Sequence, residues 1–140
     1  MDRKDCLYCD NKEVLDSLMI YITDLKVSKL YLFKEQTYYG RCVIAFKDHD
    51  VELTDVSPAD AALLMEDMQT VGAAIQKTVN PAKVNYGMYS DKLPHLHVHI
   101  VPKQKDGYSF GTTFVMNPEE TYLTAEEYDA LIAKIKNNLS

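Results

Sequence analysis

The chain has 140 residues, one domain's worth, and with 46% hydrophobic and 26% charged residues it reads as a globular protein, not a collagen-like, mucin-like or disordered one. Its 21 acidic residues outnumber the 15 basic ones for a formal charge of −6, which argues against a general nucleic-acid backbone binder but not against a nucleotide, which needs only a few local donors. No run approaches the roughly 20 apolar residues of a membrane helix. The opening Met1-Asp2-Arg3-Lys4-Asp5 lacks a signal peptide's apolar segment, so a cytoplasmic protein with no membrane or nucleic-acid partner is expected.

In chain order, residues 12–18 suit a short helix and residues 17–23 a strand. Residues 29–33 and 41–46 are short and rich in branched or aromatic side chains, as strands are. Ser57-Pro58-Ala59-Asp60 then starts a helix, with Ser57 as N-cap and Pro58 at the first helical position. Ala61, Leu64, Met65, Met68, Val71, Gly72, Ile75 and Val79 recur at three- and four-residue steps as one buried stripe, and Asn80-Pro81 stops the helix. Residues 84–89, 96–101 and 112–116 are further strand candidates, with a loop over 104–108. Thr124-Ala125-Glu126-Glu127 is a capping box that opens a helix through Leu131, Ile132 and Ile135 towards the C-terminus. The expected architecture is α+β: an antiparallel meander covered on one face by a long central helix, with a C-terminal helix. Residues 1–117 would form the main body and 118–140 a helical extension of the same domain.

The chemistry concentrates in Pro94-His95-Leu96-His97-Val98-His99-Ile100-Val101-Pro102, which holds three of the chain's four histidines at alternate positions. In a strand such residues share one face, about 6.5 Å apart, while Leu96, Val98 and Ile100 turn to the core. A plain solvent face would carry Lys, Glu or Thr. Three imidazoles suggest a metal site, catalysis by a neutral imidazole near pH 7, or both. The three cysteines, Cys6, Cys9 and Cys42, do not form a disulfide framework in a reducing compartment. Cys6 and Cys9, with the one remaining histidine, His49, and with His95, would complete a closed Cys2His2 structural zinc site, one per chain. Ligation by His95, His97 and His99 together is the competing arrangement, and Cys42 reads as core.

His95-Leu96-His97-Val98-His99-Ile100-Val101 resembles the signature of the histidine-triad (HIT) superfamily of nucleotide hydrolases and transferases. Gly40-Arg41-Cys42-Val43-Ile44-Ala45-Phe46-Lys47-Asp48-His49 and Asn85-Tyr86-Gly87 resemble two further family segments, and the similarity spans roughly Cys6 to Lys103. The resemblance implies a HIT-like fold, often a homodimer, acting on a purine nucleotide such as AMP or a dinucleoside polyphosphate. It implies attack by His97 on an α-phosphorus, giving a nucleotidyl-histidine, with His97 oriented by the backbone carbonyl of His95. It further implies that His99 contacts the phosphate and helps protonate the leaving group, that Asn85 donates to a phosphate oxygen, and that Cys6, Cys9, His49 and His95 hold zinc. A non-catalytic nucleotide- or zinc-binding module with the same fold is the alternative.

Three departures from the family pattern stand out. Arg41 replaces a histidine, Phe46 a common proline, and Asp91-Lys92 precedes the triad. Lys92 or Arg41 would then supply charge for phosphate, with Lys92 also pairing Asp91. Glu35, at the strand end where a ribose-binding group is expected, reads as a solvated side chain.

Overall fold

A computed structural model of the chain describes Cys6, Tyr8, Cys9 and residues 12–139; the charged opening at residues 1–5 lies outside these. The elements are α1 (Lys12–Leu18), β1 (Met19–Asp24), β2 (Ser28–Phe33), β3 (Cys42–Phe46), α2 (Pro58–Val79), β4 (Lys83–Gly87), β5 (His97–Lys103) and α3 (Ala125–Asn137). The strands form one antiparallel sheet in the order β1-β2-β3-β5-β4. The first three strands run as a meander. The chain then crosses through α2, lays β4 at the outer edge, and returns as β5 between β3 and β4. That return puts the histidine strand inside the sheet. No helix among the described residues is long and apolar enough to cross a membrane.

Residues 112–116 are not a strand. Phe114 turns inward to pack with Tyr38 and Val101, and the Val115 N–H donates to the Tyr38 hydroxyl (2.8 Å) instead of a neighbouring strand. Tertiary packing of one aromatic ring has overridden the local preference of a Thr-Thr-Phe-Val run.

The alternation of side chains gives the sheet two different faces. Leu30, Leu32, Ile44, Phe46, Val98 and Ile100 pack under α2 and α3 with Val71, Ile75, Leu131 and Ile135. Each such buried aliphatic chain contributes roughly 1.5–3 kcal/mol, so burial rather than helix propensity holds α2 in place. Met65, expected on the α2 stripe, is 52% exposed; one residue on from buried Leu64, it is turned about 100° away from the sheet. Both expected caps form: Ser57 Oγ accepts from the Asp60 N–H at 3.1 Å, and Thr124 and Glu127 cap each other. Asp67, on α2 and 2% exposed, takes hydrogen bonds from the Lys26 and Val27 N–H groups and the Ser28 hydroxyl, tying the β1–β2 turn to the helix.

On the opposite face lie Met19, Tyr31, Phe33, Val43 and Ala45 under Leu15 and Tyr8. His97 and His99 share this face, paired across the sheet with Ala45 and Val43, and His99 also with Gly87. Small neighbours leave the two imidazoles room.

Candidate active site and metal centre

His95 precedes β5 in an irregular turn, where its N–H bonds the Leu93 carbonyl and the Leu96 N–H bonds the Asp50 carbonyl. The turn sends its ring away from those of His97 and His99. His95 Nδ1 sits 3.2 Å from Cys6 Sγ, 3.4 Å from Cys9 Sγ and 3.2 Å from His49 Nδ1, while Cys9 Sγ is 3.2 Å from His49 Nδ1. All four candidate ligand atoms lie within 4.8 Å of one another. For bonds of about 2.0–2.3 Å to a tetrahedral zinc, ligand atoms should stand roughly 3.3–3.8 Å apart, which these spacings approach.

The donor chemistry fits as well. His95 Nε2 lies 2.7 Å from the Phe46 carbonyl, and a carbonyl only accepts. The proton is therefore on Nε2, and the Nδ1 lone pair faces the two sulfurs and His49. These four residues can hold a metal ion. The arrangement with His95, His97 and His99 as joint ligands does not form, because His95 turns to the cysteines.

His97 is oriented from behind. Its Nδ1 is 2.7 Å from the His95 carbonyl, so Nδ1 carries the proton and Nε2 keeps a lone pair. Ser90, held with φ at 62°, donates from Oγ to the same carbonyl (3.2 Å) and lies 3.3 Å from His97 Nδ1. Burial holds the His97 imidazole below the ordinary histidine range, partly opposed by that backbone hydrogen bond. His97 is thus a neutral imidazole at pH 7 with its basic nitrogen unengaged by the backbone.

His99, 5.2 Å from His97 between ring centroids, has Nδ1 3.1 Å from Arg41 Nη2. Burial, the Arg41 charge and His97 together push its pKa down to about 3. The shift makes it a neutral ring at pH 7.

His97 and His99 open onto a cavity of about 600 Å³, within the usual range for small-molecule sites. Its lining includes the apolar Leu18, Met19, Phe33 and Leu93 and, besides the histidines, the polar Ser90, Asp91 and Lys92. Lys92, one of the two bases considered for the phosphate, lines this cavity. Among the described residues no ion pair joins it to Asp91. Arg41 does not line the cavity: it is fully buried beneath His99. Asn85 is on the histidine face of β4 but lines a second hollow with Lys83, Thr113 and Phe114, so the structure does not bring it to His97.

Glu35 is not solvated. It is 3% exposed and accepts from the Thr37 hydroxyl and from the N–H groups of Thr37, Glu120 and Thr121. Burial alone would raise its pKa, but those hydrogen bonds bring it below the usual carboxylate value. Its carboxylate clamps the segment leading to α3 and is spent there. Cys42 is core as expected, its thiol pushed up to about 12 by burial. Sequence reasoning missed the wall residues Leu18, Met19 and Phe33, and Ser90. Only Ser90, just upstream of the histidines, carried a local polar signal.

Comparison with known proteins agrees with this geometry. Residues 13–106 match the family model for the HIT domain. The adenosine 5′-monophosphoramidase of Schizosaccharomyces pombe is 23% identical over 131 residues, covering 91% of this chain and 98% of that protein. A histidine triad protein from Sinorhizobium meliloti superposes with a TM-score of 0.83 at 20% identity, covering 90% of this chain and 93% of that one. A zinc-bound histidine triad family protein from Mycobacterium smegmatis superposes with a TM-score of 0.70 at 20% identity, covering 97% and 96%.

Proposed function

The chain belongs to the HIT domain family, and from that premise we propose that it is a nucleotide hydrolase or nucleotidyl transferase acting at the α-phosphate of a nucleoside phosphoramidate or a dinucleoside polyphosphate. The observation that carries this reading is the His97 geometry: a neutral imidazole, its Nδ1–H held 2.7 Å from the His95 carbonyl and its Nε2 lone pair left for attack. In the first step a bond forms between Nε2 and the α-phosphorus. The bond from phosphorus to the leaving nitrogen or oxygen breaks, and the leaving atom takes the electron pair and, for an amine, a proton from solvent. Water or another acceptor then attacks the nucleotidyl-histidine and restores the free imidazole.

The apolar lining residues Leu18, Met19 and Phe33 suit a purine base, and Lys92 in the same lining suits the phosphate charge. Asn85 has a phosphate contact only if a substrate reaches from the cavity past Phe114. A zinc ion bound by Cys6, Cys9, His49 and His95 would serve as a structural clamp. Those residues fix the His95 backbone, and that backbone fixes His97. The S. pombe relative's printed activity makes adenosine 5′-phosphoramidate the first substrate to try. A homodimer belongs to the same reading, since β4 is an open edge strand beside half-exposed Tyr86 and Tyr89.

Asp91, in the same cavity as Lys92, supports a second reading in which nucleotide is bound without turnover. Steady-state hydrolysis of adenosine 5′-phosphoramidate by wild type and His97→Ala separates the two. The proposal expects turnover that the variant loses. AMP binding by wild type without turnover on any nucleotide of a broad panel would favour the second.

A further inference from the structure

Arg41 is the largest fully buried side chain among the described residues. It lies one residue before β3, with its guanidinium carbon 4.1 Å from the centroid of Phe33 and 5.3 Å from that of Phe114. A cation over two aromatic rings at these distances is stabilised by both. Nη1 reaches the Val115 carbonyl at 3.5 Å, Nη2 lies 3.6 Å from Met116 Sδ, and Nε is buried without a hydrogen-bond partner. No carboxylate forms an ion pair with it among the described residues. A buried cation with an unsatisfied nitrogen is costly, and here its remaining contact is Nη2 to His99 Nδ1 at 3.1 Å.

A guanidinium has only donors. Nδ1 of His99 must therefore be the acceptor, and a neutral ring then carries its proton on Nε2. His97 is in the opposite state, with its proton on Nδ1 held by the His95 carbonyl. The two imidazoles lie side by side on one face of the sheet, and both line the cavity. One brings a lone pair on Nε2 and the other an N–H on Nε2. These are the two functions that attack on a phosphoryl group requires: a nucleophile and a donor to the oxygen on which charge builds.

We propose that Arg41 is a positioning residue that locks His99 in the Nε2–H tautomer, so that His99 meets the phosphoryl group as a neutral hydrogen-bond donor and not as an acid. This rests on phosphoryl transfer at His97 as proposed above. The role requires both the cation and the aromatic clamp. The clamp fixes the guanidinium plane, and Phe114 also packs on His99, with ring centroids 5.8 Å apart. Gly87 admits that ring: a Cβ there would stand 2.9 Å from Phe114.

The test is long-range proton–nitrogen NMR on histidine-labelled protein, for wild type, Arg41→Lys and Arg41→Leu, with turnover of adenosine 5′-phosphoramidate measured on the same samples. Wild-type His99 should show one tautomer at neutral pH, protonated on Nε2 and bare on Nδ1. Arg41→Leu should show mixed tautomers for His99 with His95 and His97 unchanged, and a kcat lower by roughly tenfold or more, as for loss of an oriented donor, with KM moving far less. Arg41→Lys, which retains a cationic donor, should recover part of the tautomer bias and of kcat. A proton on Nδ1 of wild-type His99 overturns the inference whether or not the variants fold. An unchanged kcat in folded Arg41→Leu overturns it too. If turnover survives His97→Ala, the phosphoryl-transfer reading falls and the inference with it. If turnover needs His97 but His99 is protonated on Nδ1, the inference falls alone.

Discussion

Acidification should destabilise the protein through His99, by an amount the structure sets. In the fold its pKa is down to about 3 from an ordinary 6.5, because burial, Arg41 and His97 all oppose a charge on the ring. In the unfolded chain it titrates normally. Between those two values the unfolded state binds more protons, so stability is fully present above about pH 6.5 and falls as the pH falls towards 3. One pK unit is worth about 1.36 kcal/mol, so the loss from this residue alone is about 2 kcal/mol near pH 5 and about 4 kcal/mol near pH 3. Urea unfolding of wild type and His99→Gln, near pH 7.5 and near pH 5, isolates it, since Gln does not titrate and its amide oxygen can still accept from Arg41. Effects of acid on Cys6, Cys9, His49 and His95 are common to both proteins and cancel. Wild type should lose about 2 kcal/mol more than the variant over this range. Equal losses would refute the claim that the fold holds His99 neutral.

Three other outcomes follow from the same contacts. Metal analysis of purified protein should find about one zinc per chain, lost in Cys9→Ser and retained in His97→Ala, because the first removes a ligand and the second does not; the reverse pattern would mean that the metal sits on the triad. Glu35→Ala leaves the N–H groups of Thr37, Glu120 and Thr121 without their acceptor and should cost about 2–4 kcal/mol in urea unfolding. It should also speed proteolytic cleavage ahead of α3, and unchanged stability would show that water serves those groups equally well. Gly87→Ala places a Cβ 2.6 Å from Tyr89 and 2.9 Å from Phe114, so it should displace the ring that packs on His99. The expected result is a kcat reduced at least several-fold with folding intact by circular dichroism; full activity would mean that Phe114 has no part in placing His99.

Much of this was legible in the sequence because the signals were local. Alternation placed His97 and His99 on one face, and the caps at Ser57 and Thr124 announced α2 and α3. Ligand counting gathered Cys6, Cys9, His49 and His95 because so few thiols and imidazoles were available to choose from. What escaped depends on chain segments far apart. The Arg41–His99 contact joins residues 58 positions apart, one just ahead of β3 and one on β5, and a lone arginine in a sequence does not say which way it points. Glu35 looked like an exposed acid because its acceptors' partners lie some 85 residues on, in backbone N–H groups that no sequence pattern marks. Residues 112–116 had strand composition, but the inward turn of Phe114 depends on the hollow that Tyr38, Gly87 and Val101 leave for it. His95 had the right spacing for the triad face, yet it precedes β5, and the backbone turn there gives its ring to the cysteines.

The most direct test of the account is intact-mass spectrometry of the protein quenched soon after mixing with adenosine 5′-phosphoramidate or a diadenosine polyphosphate, with His97→Ala run beside wild type. The account predicts a transient adduct of one nucleotidyl group on wild type and none on the variant, with turnover following the same pattern. An adduct of equal size on His97→Ala, or turnover that survives the loss of this imidazole, would contradict it.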